Sequence, residues 1–194
     1  MRRARGGRAA AAFIVAIGLV PTVSSAGGET AGYATPPRWL FEPGARLNVD
    51  LPIGDARSLI HWALGGGLSL SARREGDAHR WRASLEVEPV TDVGPGASLQ
   101  LARAQLGAER LWRGHLLTAF DLGGVFRRLS IADELTHTAS GVGASAEVGW
   151  RFSPAARWSM TGGVRYSISW FTTDGFTWQQ LGLFLGLERI AARR

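Results

Sequence analysis

The sequence predicts an all-β fold: an eight-stranded antiparallel up-and-down barrel that crosses a membrane and has short turns at one end. Three observations predict it. Apolar residues recur on every second position through eight segments separated by turn residues. Charged residues inside those segments keep to the opposite face, and tryptophans gather towards the segment ends. No segment reads as an amphipathic helix.

The N-terminus stands apart from this pattern. Arg2, Arg3, Arg5 and Arg8 precede an apolar run from Ala9 to Val20, followed by Pro21 and small residues ending at Ala26. That is the pattern of a cleaved secretory signal peptide, residues 1–26, since the run is shorter than the roughly 20 residues of a membrane helix. Residues 27–37 (GGETAGYATPP) have no period and are expected to form a flexible segment, which leaves 38–194 as one barrel domain. Without the signal peptide 18 arginines face 16 acids, so the net charge of +6 falls to +2 and no nucleic-acid partner is expected. The absence of cysteine excludes disulfides, a thiol nucleophile and a zinc–thiolate site.

The strands follow in order. Residues 45–51 set Leu47, Val49 and Leu51 against Arg46, Asn48 and Asp50. Residues 59–71 set Ile60, Trp62, Leu64, Leu68 and Leu70 against His61, Ala63, Gly65, Gly67 and Ser69, with Gly65 to Gly67 easing the curvature. Residues 81–88 alternate Trp81, Ala83, Leu85 and Val87 with Arg82, Ser84, Glu86 and Glu88. In the fourth, Ala102, Ala104, Leu106, Ala108 and Trp112 oppose Arg103, Gln105, Gly107 and Glu109, and a bulge at 99–101 is expected. Residues 116–127 oppose Leu116, Thr118, Phe120, Leu122 and Phe126 to Ala119, Asp121, Gly123 and Arg127. Residues 142–152 oppose Val142, Ala144, Ala146, Val148, Trp150 and Phe152 to Gly143, Ser145, Glu147, Gly149 and Arg151. The seventh runs from Trp158 through Met160, Val164, Tyr166 and Ile168 to Trp170, with Arg165 and three serines between; at about 3.3 Å per residue its apolar face spans roughly 40 Å. The eighth sets Leu181, Leu183, Leu185 and Leu187 against Gly182, Phe184, Gly186 and Glu188.

Charge placement decides whether the apolar face meets a core or lipid. An arginine facing lipid at mid-depth costs about 2–4 kcal/mol, against about 0–1 near the interfaces. Arg46, Asp50, Arg82, Glu86, Arg103, Asp121, Glu147, Arg151, Arg165 and Glu188 all share the other face, where they balance and form a lumenal charge network between small residues. Trp62, Trp81, Trp112, Trp150, Trp158, Trp170 and Trp178 form the expected aromatic girdle. A soluble lipocalin-like carrier, the reading opposite to this one, would reverse the two faces. The tight connectors at 113–115 and 153–156 fall on one side, the periplasmic side if the N-terminus is periplasmic, and the longest, 129–140, falls outside as a possible surface-partner loop.

The run WRFSPAARWSMTGGVRYSISWF (Trp150–Phe171), a strand, a tight Ser-Pro turn and a returning strand, resembles the small outer-membrane barrels of the OmpA/OmpX-like type. The resemblance spans about 38–190 and implies an outer-membrane location, lipids and the barrel-assembly machinery as partners, a monomer, and a structural or surface-interacting role. Such barrels commonly end in an aromatic residue, whereas this chain ends Ile190-Ala191-Ala192-Arg193-Arg194.

Lipid A deacylases and palmitoyl transferases share the architecture, so a lipid-modifying enzyme is the alternative. The deacylase pattern needs a histidine two residues before a serine, and His61, His79, His115 and His137 are followed at that spacing by Ala63, Trp81, Leu117 and Ala139. His61 could meet Ser84 and Glu86 across strands, although a hydrogen-bonded lumenal histidine is the expectation. His137 with Asp133 and Glu134 would hold a divalent cation weakly at best. No catalytic residue, metal or cofactor is therefore assigned.

Overall fold

The structure is a computed structural model, and it describes residues 38–54, 57, 60–91, 97–131, 135–155, 157–173 and 175–190. The expected signal peptide and the segment 27–37 lie outside the described residues. Eight strands follow one another: β1 (Trp39–Ile53), β2 (Ala63–Arg74), β3 (His79–Thr91), β4 (Ala97–Trp112), β5 (Leu116–Ile131), β6 (Leu135–Ala155), β7 (Trp158–Phe171) and β8 (Thr177–Arg189). Each pairs antiparallel with its sequence neighbour, and β8 returns to β1 from Gly44↔Glu188 to Ile53↔Gln179, closing the barrel.

One end, the turn end, holds the connections 75–78, 113–115 and 156–157 with the start of β1 and the finish of β8; the other four connections make the loop end. The first turn is shorter than the gap the alternation leaves between strands 59–71 and 81–88. Gly76 takes φ +83°, and the Asp77 carboxylate accepts the backbone N–H of His79 at 2.9 Å. That hydrogen bond is the main reason the Asp77 carboxyl sits below the usual carboxylate range.

Observed strands run from 12 to 21 residues, most of them longer than the alternation indicates, and all longer than the roughly 9–11 that cross a bilayer at a tilt. Backbone pairing continues where the outer face changes from apolar to polar. The row Gln100↔Arg128↔Thr138 crosses three strands in unbroken register, and Ile131↔Leu135 still pairs. The expected loop 129–140 is therefore the top of a hairpin, with only 132–134 outside the strands. β6 also rises past β7, whose ladder against it starts at Gly141↔Phe171.

Two further expectations are corrected. β2 starts at Ala63 rather than Leu59, so Ile60 turns into the barrel and His61 is exposed at its end. In β4 no shift interrupts the ladders at 99–101; Leu99 and Leu101 continue the inward face of Arg103. The ladders shift instead in the glycine run, between Leu64 and Gly66, and near the β6–β7 turn, between Phe152 and Ala155.

Outside, the belt is apolar: Leu47, Leu68, Leu106 and Leu183 are 62–71% exposed. Inside, small residues make room for large charged ones. A Cβ at Gly107 would meet the Asp121 carboxylate, and one at Gly182 that of Asp50.

Candidate functional site

The interior is a column of paired charges. Alternation aims every second side chain of all eight strands at the same narrow space, so charges from distant parts of the chain meet there. Nearest the turn end, Arg80 reaches three acids: Glu42 at 3.0 Å, Glu188 at 2.9 Å, and Glu109. Arg151 sits 3.5 Å from Glu42 and 3.4 Å from Glu188, and its Nε donates to Ser159 Oγ at 2.5 Å. Arg73 closes this tier on Glu42 at 3.1 Å.

In the middle tier Arg82 donates to Asp121 and, at 2.9 Å, to Glu147, which also accepts from Arg46. Arg46 lies 3.7 Å from Glu86 and stacks over the Phe184 ring at 4.5 Å. Arg165, 1% exposed, donates to Glu86 and, at 2.6 Å, to Asp50, whose other neighbour is the Asn48 amide at 2.6 Å. Above these, Arg103 donates to Glu88 and Gln180, and the Gln180 amide returns to Glu88 at 2.9 Å. An isolated charge here would cost several kcal/mol, and this mutual pairing is what lets so many stay buried.

The loop end differs in kind. Ile60, Leu99, Leu101, Val125, Ala139, Phe171 and Trp178 form a buried apolar cluster inside the barrel, with Leu129 and Phe176 packed on it. Arg127 lies over the rings of Phe171 and Phe176 at 4.6 and 5.5 Å. The lumen is thus filled with charge over most of its length and capped by hydrocarbon at one mouth.

No protein-family model and no curated protein matches the sequence. Among solved structures, the chain is similar to Neisserial surface protein A, with 14% identity, a TM-score of 0.50, and coverage of 77% of this chain and 96% of that one. It is similar also to Ail, the attachment invasion locus protein of Yersinia pestis, at 12% identity and a TM-score of 0.51, covering 78% and 96% of the two chains. The fold is that of the small eight-stranded outer-membrane barrels.

Within this outer-membrane barrel fold, all ten charges assigned to the lumen from the sequence lie inside, and every one of them is in the column. The structure adds Glu42, Arg73, Arg80, Glu88 and Glu109. Glu88 and Glu109 already had inward parity. Glu42 and Arg80 lay beyond the assigned strand ends, yet each extends a parity visible in the sequence, Asp50 through Glu42 and Arg82 through Arg80.

Of the girdle residues, Trp81, Trp112, Trp150 and Trp158 are exposed on the outer wall at the turn end, joined by Trp39, and Trp62 and Trp170 are exposed at the loop end. The Trp112 indole N–H donates to Thr118 Oγ1 at 2.9 Å, as a half-wet indole requires. Trp178 is the exception and is corrected: it is 3% exposed and faces inward. On β8 its even number gives it the side of Phe184 and Gly182, and there it packs edge-on to Phe176 with ring centroids 6.2 Å apart. Nearness to a strand end alone had assigned it outward, and parity overrides that.

The histidines are at the rims. His79 is exposed beside Asp77 at 3.3 Å, His115 stacks on Trp150 at 5.5 Å, and His137 is exposed on β6. Asp133 and Glu134, named with His137 as a weak cation site, lie outside the described residues. His61 is exposed at the loop end before β2 begins, whereas Glu86 pairs with Gly67 further down the barrel.

Proposed function

We propose that this chain is an outer-membrane barrel with a structural or surface-interacting role, its N-terminus and turn end periplasmic, its loop end outside, and its lumen closed. One observation carries the reading: an apolar outer belt encloses a lumen in which the arginines are tied to acids and one mouth is capped by hydrocarbon. Side chains that already neutralise one another offer neither a wet path for ions nor a free nucleophile and base. A lipocalin-like carrier would need an apolar cavity running the length of the barrel, where this lumen holds charge.

The partners that fit are outer-membrane lipids around the belt, the assembly machinery during insertion, and a surface partner at the hairpin of β5 and β6; closure of the barrel favours a monomer in the membrane. The connectors at the loop end carry Asp55, Asp92, Asp133, Glu134 and Asp174 against Arg57. That balance suits a cationic partner surface better than a polyanion such as sucrose octasulfate, the heparin analogue found in complex with Ail.

The test is electrophoretic mobility in SDS, with and without boiling, on protein from the outer-membrane fraction, followed by planar-bilayer recording. The expected result is a mobility shift on boiling and no stable conductance. Recovery in the soluble fraction with no shift would defeat the membrane reading; steady channels would defeat the closed lumen.

A further inference from the structure

At the turn end one stretch of the outer wall sets an apolar row beside arginines without an acidic partner among the described residues. Trp112, Leu116 and Trp150 form a row across β4, β5 and β6, joined by the pairs Trp112↔Leu116 and Leu116↔Trp150. With Arg113 and His115 from the turn below, they line an open groove of about 470 Å³. Arg110 lies 3.7 Å over the Trp112 ring, and His115 stacks on Trp150. Among the described residues neither Arg110 nor Arg113 pairs with a carboxylate, and Asp77, on the neighbouring turn, is engaged by His79. In the column, by contrast, the arginines are neutralised by acids.

The backbone marks the same place. Arg113 has φ +48° and Gly114 φ +78°, with the His115 N–H donating to the Trp112 carbonyl at 3.0 Å. Two positive φ values are what a type I′ hairpin turn requires, and its first central position favours Asn, Asp or Gly. Arginine is the only non-glycine residue with positive φ among the described residues. An arginine at a position that the turn disfavours is an outlier of the kind that motivates a search for a role beyond the turn.

We propose that this groove binds one anionic glycerophospholipid of the periplasmic leaflet, its phosphate held by Arg110 and Arg113 and its acyl chain lying along Leu116 between Trp112 and Trp150. The assignment rests on the membrane orientation proposed above. Guanidinium groups match phosphate oxygens, and indoles favour the headgroup level, where the Arg110 guanidinium, folded over the Trp112 ring, and Arg113 on the turn both stand.

Native mass spectrometry of the detergent-solubilised protein with added phosphatidylglycerol or phosphatidylcholine tests this, with the SDS mobility shift confirming folding of every sample. The wild type should retain one phosphatidylglycerol in preference to phosphatidylcholine. Arg113→Asn, which suits the turn better than arginine, should keep or raise stability and yet weaken retention. Arg110→Gln with Arg113→Asn should lower it by roughly tenfold or more. Arg157→Gln with Arg189→Gln removes the same charge elsewhere on the rim and should change little. Inorganic phosphate, which has the charge without the chain, should not displace the lipid. Equal retention of both lipids, unchanged retention in the double variant, equal loss in the control pair, or displacement by phosphate would each overturn the site while leaving the barrel reading intact. A wild type without a mobility shift would remove the barrel reading and the site with it.

Discussion

The two ends of the lumen solve the same packing problem with opposite chemistry. From Glu42 to Gln180 the space is filled by long charged side chains that reach across the barrel, and from Leu101 to Phe171 by apolar ones that pack locally. The charged column is specific but conditional, since each member is tolerable only while its partner stays. The cap is additive, because its members lose contacts in proportion to what is removed. Substitution should therefore hurt the two regions differently, and the most informative variants are those that can reverse the harm.

The largest effect is expected at Arg165, which serves Asp50 and Glu86 from the centre of the column. Arg165→Met should cost about 3–5 kcal/mol, because it leaves two buried carboxylates short of a counter-charge. Adding Asp50→Asn and Glu86→Gln should recover most of that loss, since a column that never held those charges has none to compensate. Urea midpoints of refolded barrels in detergent measure both. A triple variant as unstable as the single one would show that arginine's bulk, and not its pairing, matters at this position.

In the cap, Phe171→Ala should cost less, about 3 kcal/mol, at the low end of the range for deleting a buried phenyl ring because Phe176 and Trp178 lie close enough to collapse into the gap. No second substitution of a partner should restore it, in contrast to the column. The same urea titration decides: recovery on altering a neighbour such as Leu101 would mean that the cap too depends on specific pairing.

How far each region was legible in the sequence follows from the same contrast. Alternation with period two places Arg82, Glu147 and Arg165 inward wherever an apolar neighbour marks the other face, so the column is legible in the sequence. The cap could not. Leu99, Leu101 and Val125 are apolar residues on inward positions, and where both faces carry apolar residues the alternation no longer tells them apart. Hence the sequence suggests a bulge at 99–101 where the ladders run straight. Trp178 is a different case: its parity on β8 is inward, and only its nearness to a strand end points to the wall. The hairpin above Arg128 was hidden for the converse reason: there the outer face is polar, and a polar strand outside the bilayer reads as loop. Which arginine meets which acid was not legible either, since Arg80 and Glu188 are 108 residues apart in sequence and are brought together only by closure of the barrel.

The smallest expected effect sharpens the comparison from outside both regions. Asp77 is a carboxylate in water at the β2–β3 turn, with its carboxyl held below the usual range first by the His79 backbone N–H. A lowered folded-state value means that its contribution is fully present above the unfolded value, near 4, and is lost as pH falls through the lower folded value. The side chain is about half exposed, so solvent screening limits the contribution to ~0.5 kcal/mol or less. Asp77→Asn keeps an acceptor for the His79 N–H but never carries the charge, so the variant should fall short of the wild type in urea by no more than that amount at neutral pH and converge with it in the acid range. A loss at neutral pH as large as that of Arg165→Met would mean that this turn is coupled to the column through Arg80, the residue after His79, and that the boundary between solvent-exposed turn and buried network lies deeper in the barrel than the burial of Arg80 indicates.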